Sequence, residues 1–316
     1  MLGIILVGYA AAIVAAVVVV VAAIAAGRRQ STSRPSPEYV SLLRAARLRA
    51  VAAVVVTIVV FAALVSFGMS TPEAYGLPLL LAAPVAATVA LLVYAVIPPR
   101  SVAAAADATR EASLTPRSVG SYVARPDALV LAGAVVFAVV VFLFTGFTSS
   151  ADERGLSREI TFTEGAVSST SGPYAGWYYG VPALAAIIVL LVAGAVALRR
   201  VATTPALPHG EGAEADVHWR RGSVRILLAI IVAAILQPVG GAAAFSGQVI
   251  LSGMLPTSPA GWTVVALVLI VLGLASMVVS IVLLTLAALG SVALRYRQPV
   301  GPQRRAVVIG PSGAAS

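Results

Sequence analysis

The chain has no cysteine and no lysine, and only two histidines. Without cysteine it has no disulfide, no thiolate-held metal and no cysteine nucleophile, while its compartment stays open. Every one of its 21 positive charges is an arginine, and charged residues make up only 10 % of the 316, against about 25 % in ordinary soluble domains. So little charge does not cover a water-facing surface. The interiors of the long apolar runs lack acidic, basic and histidine side chains. That argues against a proton relay or ion-coupled carrier. A nucleotide-binding phosphate loop, an HExxH zinc motif and a GxSxG nucleophile elbow are also missing. No catalytic, cofactor-binding or metal-binding residue is assigned, and the expectation is a protein that is not an enzyme.

What is present is apolar. Hydrophobic residues make up 60 %, and the mean hydropathy is +1.01. Lipid is then the natural solvent for much of the chain. A span needs about 20 apolar residues at 1.5 Å rise each. Seven runs qualify: 2–26, 50–68, 77–97, 128–148, 178–198, 224–245 and 262–290. The first is too long, and lacks the basic start, for a secretory signal, so it reads as an uncleaved anchor. The fold expected is an all-α integral membrane protein with about seven transmembrane helices, one N-terminal anchor plus three hairpins. Residues 1–297 form one polytopic domain on this reading, and 298–316 a disordered cytoplasmic tail rich in small residues.

Orientation follows from arginine. The loops and tail on one side hold 19 of the 21, including Arg28, Arg29, Arg44, Arg47, Arg49, Arg199, Arg200, Arg220, Arg221, Arg295 and Arg297. The other side has only Arg154 and Arg158, among Asp152, Glu153, Glu159 and Glu164. Positive charge stays in the cytoplasm, so the N-terminus lies outside and the C-terminus inside. The net charge of +9 then faces anionic inner-leaflet headgroups rather than nucleic acid. The alanine, valine and arginine richness without lysine points to a GC-rich bacterial genome and a plasma-membrane location.

One phrase recurs. Tyr75-Gly76-Leu77-Pro78 and Tyr179-Gly180-Val181-Pro182 each open an inward span. Tyrosine suits the headgroup layer, and proline suits a first helical turn, where its missing N–H has no partner. Tyr75, Pro78, Tyr179 and Pro182 are therefore read as interfacial entry points. The basic prelude 36–49 either lies on the inner leaflet as an elbow or extends the second span. Small residues at Gly8, Ala12, Ala16, Gly273, Ser276 and Ser280 permit close helix packing. Pro84 and Pro238 each remove a helical donor.

Gln237, the largest polar side chain inside a span, stands beside Pro238, Gly240 and Gly241. These four mark a kink or a solute path, and the uncharged stretch 239–261 reads as an outer loop or a re-entrant segment. Residues 149–177 read as a flexible polar loop with a short strand near 158–165. His209, His218, Glu211, Glu214 and Asp216 read as a solvated loop rather than a metal site. The favoured function is a non-catalytic subunit or scaffold that binds other membrane proteins or itself. The alternative is a permease or channel-like component for a small or lipidic solute.

Overall fold

The computed structural model describes residues 37–97, 119–204 and 211–293. The first expected span, Arg28, Arg29, His209, Arg295, Arg297 and the tail lie outside them. The described chain folds into six long helices and a small sheet: α1 (Pro37–Ser70), α2 (Leu77–Val96), α3 (Arg125–Phe147), β1 (Ser150–Ala151), β2 (Ser157–Glu164), β3 (Val167–Ser171), α4 (Trp177–Thr203), α5 (Glu211–Gly253) and α6 (Ala260–Ala293). Helices α2 to α6 are long and apolar enough to cross a membrane, and α1 carries a shorter apolar stretch, Val55–Ser70. The outward faces hold Val136 and Val140 on α3, Ile188 and Val192 on α4, and Val271 and Val278 on α6. Such bands fit hydrocarbon, not water.

One alternative is settled, toward extension of the second span, and two readings change. The prelude 36–49 is the start of α1, one continuous helix of 34 residues. The stretch 239–261 is helical to Gly253, so it forms neither a long loop nor a re-entrant segment. Helix α5 also begins at Glu211, which puts Glu211, Glu214, Asp216 and His218 on a helix rather than in a loop. The description "all-α" is too narrow as well, because 150–171 forms an antiparallel sheet in the order β1-β2-β3.

Helix α5 is the centre of the bundle. It packs against α2, α3, α4 and α6, and 72 % of its apolar window is buried, more than for any other of the five spans. Its longest contact is with α6, and small residues make it possible. A Cβ on Gly273 would stand 2.6 Å from the Gly240 carbonyl, and one on Gly247 would stand 2.5 Å from the Ala266 carbonyl. Ser280 Oγ donates to the Ala233 carbonyl at 2.9 Å. The three pairs, 233 with 280, 240 with 273 and 247 with 266, advance by seven residues on each antiparallel helix. A repeat of seven keeps one seam facing its partner in a left-handed pair. Lipid offers no hydrophobic drive for this contact, so backbone approach and dispersion must hold it. Pro238 leaves the Ala234 carbonyl without its helical donor, one residue from the carbonyl that Ser280 reaches.

Gly273→Val should destabilise the α5–α6 pair by about 1–3 kcal/mol, the usual cost of overpacking. Gly241→Ala should be neutral or better, because a Cβ there meets nothing within 4 Å. Unfolding in detergent micelles separates the two, and equal losses would refute the seam.

Candidate functional site

One end of the bundle carries a folded cap. Its sheet follows from local chemistry. Asp152 accepts from the backbone N–H groups of Arg154 at 2.9 Å and Leu156 at 2.8 Å, closing a turn completed by Gly155 at φ 76°. The hairpin of β2 and β3 closes with Glu164 opposite Val167 around Gly165, at φ 60°. Along β2 the burial alternates, with Ile160 and Phe162 buried and Thr161 and Thr163 exposed. This is the period of two for a sheet with one covered face. Phe162 meets the Trp262 ring edge-on at 5.4 Å, at the start of α6. Ser171 Oγ lies 3.2 Å from Ser252 Oγ, and the Ala175 N–H donates to buried Ser246 Oγ at 3.2 Å, so the cap is fixed to α5 too.

A second set of contacts latches the cap to the α1–α2 turn. Arg158 Nε donates to Asp152 Oδ2, and the Arg158 guanidinium lies over the Tyr75 ring, 3.6 Å from its centroid. A cation over an aromatic face is attracted by the ring's quadrupole. Tyr179 Oη donates to the Tyr75 carbonyl at 2.7 Å, and Tyr178 Oη donates to the Ala74 carbonyl at 3.2 Å. The two copies of the recurring phrase therefore meet. Tyr75 adopts a left-handed conformation at φ 49°, which costs an L-residue about 1–2 kcal/mol. The hydrogen bond to its carbonyl and the guanidinium on its ring oppose that cost.

The copies differ in the helix. Gly76, at φ 80°, is the N-cap of α2 and Pro78 is at its second position. Helix α4 already starts at Trp177, which puts Tyr179, Gly180 and Pro182 within it. Pro182 is thus past the first turn, contrary to the entry reading. Its missing N–H leaves the Tyr178 carbonyl without a helical donor.

The other end of the bundle holds the arginines. Arg199, Arg200, Arg221 and Arg225 are exposed, but Arg220 is fully buried. Its Nη1 donates to the carbonyls of Val201 at 2.6 Å and Ala202 at 3.0 Å, and its Nη2 to that of Thr204 at 2.8 Å. These are carbonyls at the C-terminal end of α4, where a cation also meets the negative end of the helix dipole. Tyr122 and Trp219 flank the guanidinium at 5.9 and 6.0 Å. Arg220 is a helix cap whatever its part in topology. Arg44, Arg47 and Arg49 lie on α1. Gln237 is half-buried on α5 within an unbroken helix, and Pro238 and Gly240 are buried. Gly241 stands on the same helix with open space where a Cβ would project. Pro84 likewise sits inside a continuous α2.

Beside the cap runs a cleft of about 560 Å³, between β2 and the α5–α6 turn. Thr148, Thr161, Thr163, Glu164, Ser258 and Trp262 are on its walls. Its volume falls in the roughly 300–1,000 Å³ range of ligand clefts. Electrostatics stiffen the cap. Desolvation disfavours charge on Asp152, but the Leu156 N–H, Arg158 and the Arg154 N–H together hold its carboxyl below the usual 3.8. Desolvation likewise opposes charge on Arg158, yet Asp152 and the neighbouring tyrosines raise its pKa. Burial pushes the Tyr174 hydroxyl up, partly offset by its 2.7 Å hydrogen bond with Thr148.

Of this latch, Tyr75 and Tyr179 were picked out from sequence, as interfacial entry points, but their meeting and its link to Arg158 and Asp152 were not. Two signals pointed there: Arg154 and Arg158 stand apart in sequence from the other arginine clusters, and the Asp152 to Gly155 spacing is a turn signature. Fold and site together define a mostly helical protein with five helices long and apolar enough to cross a membrane and a compact polar cap. No protein-family model, no curated protein and no solved structure matches the chain.

Arg220→Ala should cost about 1–3 kcal/mol for each carbonyl left buried without a donor. Arg221→Ala should stay within about 0.5 kcal/mol of the parent. Comparable melting losses in micelles would refute the capping role. Because the folded pKa of Asp152 is depressed, its stabilisation is complete above 3.8 and fades as pH falls through the lowered value. Asp152→Asn should be less stable at neutral pH and lose that acid dependence. An acid melting profile that keeps its parental shape in the variant would assign the dependence elsewhere.

Proposed function

We propose that the protein is a non-catalytic subunit or scaffold of a membrane complex, and that the cap is its contact surface. The observation that supports this reading is the latch. Three separate helical hairpins are tied at one end by Arg158, Asp152, Tyr75, Tyr178, Tyr179 and the sheet, which holds a polar surface in one fixed shape. Pre-organisation of that kind lowers the ordering cost of binding a partner. In this proposal the chain crosses a bacterial plasma membrane seven times, with residues 2–26 as the first span and the N-terminus outside. The cap then faces the exterior, and the exposed Arg199, Arg200 and Arg221 face anionic headgroups of the inner leaflet. The permease reading has less support, since α5 is continuous through Gln237, Pro238, Gly240 and Gly241 and supplies no broken helix to line a path.

The chain has no native thiol, so a single introduced cysteine is unique. Val167→Cys, at an exposed position beside the hairpin turn, should react in intact cells with a membrane-impermeant photoreactive maleimide. Light should then yield one discrete crosslinked species. Labelling only after permeabilisation would overturn the orientation. A labelled protein that gives no adduct, and elutes alone from mild detergent, would overturn the subunit reading.

A further inference from the structure

The cap has an unfinished sheet edge that opens into its cleft. The Tyr174 N–H reaches the Arg158 carbonyl at 2.6 Å, on the β3 side of β2. Backbone groups alternate along a strand, so residues 158, 160, 162 and 164 turn theirs toward β3. Glu159, Thr161 and Thr163 turn theirs to the opposite edge. There β1 pairs with β2 only at Glu159 and Ser157, and the chain before Ser150 has already curled into the end of α3. The N–H and C=O groups of Thr161 and Thr163 therefore have no strand beside them among the described residues. The cleft fills that place, with Thr257, Ser258 and Pro259 on its far wall and Trp262 also lining it.

We propose that this edge receives an extended segment of a partner protein, which adds as a further strand next to β2. The inference rests on the subunit reading above and names its docking site. Backbone donors and acceptors at strand spacing recognise another backbone, and side-chain pockets then select its sequence. The edge is held rigid. Thr161 Oγ1 lies 2.9 Å from Ser150 Oγ and 3.1 Å from Thr170 Oγ1, linking the three strands across the exposed face. Charge selects the partner further. Glu164 is the one charged side chain among the described residues lining the cleft. Glu73, Glu153 and Glu159 add negative charge at this end and outnumber Arg154, the exposed arginine there, while Arg158 is spent on Asp152. The incoming segment is thus extended and carries lysine or arginine. Edge strands left open are usually blunted by charge or proline. Here the free part of β2 has two threonines, no proline and a wall opposite, with the charges of Glu159 and Glu164 only at its two ends.

A displayed library of short linear peptides, panned against the full chain in nanodiscs, tests this. Enriched peptides should be cationic and should protect the Thr161 and Thr163 amides from hydrogen exchange. Thr163→Pro removes an edge donor but no bond to β3, and should weaken binding by about tenfold or more. Thr163→Val keeps the donor and should bind like the parent. N-methylation of the peptide on its pairing edge should reproduce the proline effect without touching the protein. No enrichment, or binding that survives both N-methylation and Thr163→Pro, overturns the edge, the latter pointing to side-chain or saccharide-like recognition in the cleft. An adduct from Val167→Cys in cells with no peptide selected would leave the subunit reading standing and remove this site. Selected peptides without any cellular adduct would do the reverse for the subunit reading.

Discussion

Close backbone approach between α5 and α6 is the constraint on which the rest of this structure depends. Hydrocarbon gives apolar helices no reason to prefer one another, so a long buried helix needs contacts that lipid does not match. Gly240, Gly247 and Gly273 let two backbones meet where any Cβ would collide with a carbonyl or an amide. Once α5 is seated on α6, its remaining faces are available to α2, α3 and α4. The same pairing carries Ser246, Ser252 and Gly253 to the end where the sheet sits. The cap thus rests on the seam. Moving α5 by a turn would carry away the serines and the glycine that receive Ala175, Ser171 and Phe162.

The two ends of the bundle solve one problem in different ways. Helix termini leave carbonyls and N–H groups without helical partners, and burial makes each one costly. At the arginine end, Arg220 covers the end of α4 with three hydrogen bonds. At the other end, a tyrosine hydroxyl from α4 reaches the carbonyl of Tyr75, just ahead of α2, and a guanidinium covers that residue's ring. An arginine pattern read for topology alone hides this distinction. Arg220 and Arg221 are neighbours in sequence, yet one is wholly buried and the other exposed.

Much of the helical plan was legible because hydropathy and length are properties of a segment by itself. The runs at 77–97, 128–148, 178–198 and 262–290 each coincide with a helix to within a few residues, apart from a longer C-terminal end on α4. The run at 224–245 was cut short at both ends, since the polar start of α5 and its last two turns, with Ser246, Gly247, Gln248, Ser252 and Gly253, look unlike a span. Tertiary contact with α6 overrides that local weakness. The stretch 149–177 looked like a flexible loop because serine, threonine and glycine dominate it. Only the alternation of Ile160 and Phe162 with threonine betrayed the sheet, and Trp262, whose ring meets Phe162, lies far away in sequence. The meeting of Tyr75 with Tyr179 was beyond local reading, as the two are 104 residues apart.

The recurring tetrapeptide shows why repetition in sequence is a poor guide to equivalence in structure. In the first copy, glycine at φ 80° ends a turn and proline starts a helix. In the second, the same residue types lie inside a helix that began two residues earlier, at Trp177. What the copies share is not a conformation but a junction, where the tyrosine of one satisfies the backbone of the other. That junction needs a left-handed Tyr75, which is unfavourable alone and acceptable once Tyr179 and Arg158 are in place. Arg158 in turn is aimed by Asp152, and Asp152 by the turn that precedes β2. Each member is weak by itself, and the cap is rigid because they close a ring linking two hairpins. A surface fixed in this way presents its open strand edge in one orientation, which is the condition for a second chain to pair with it at little further ordering cost.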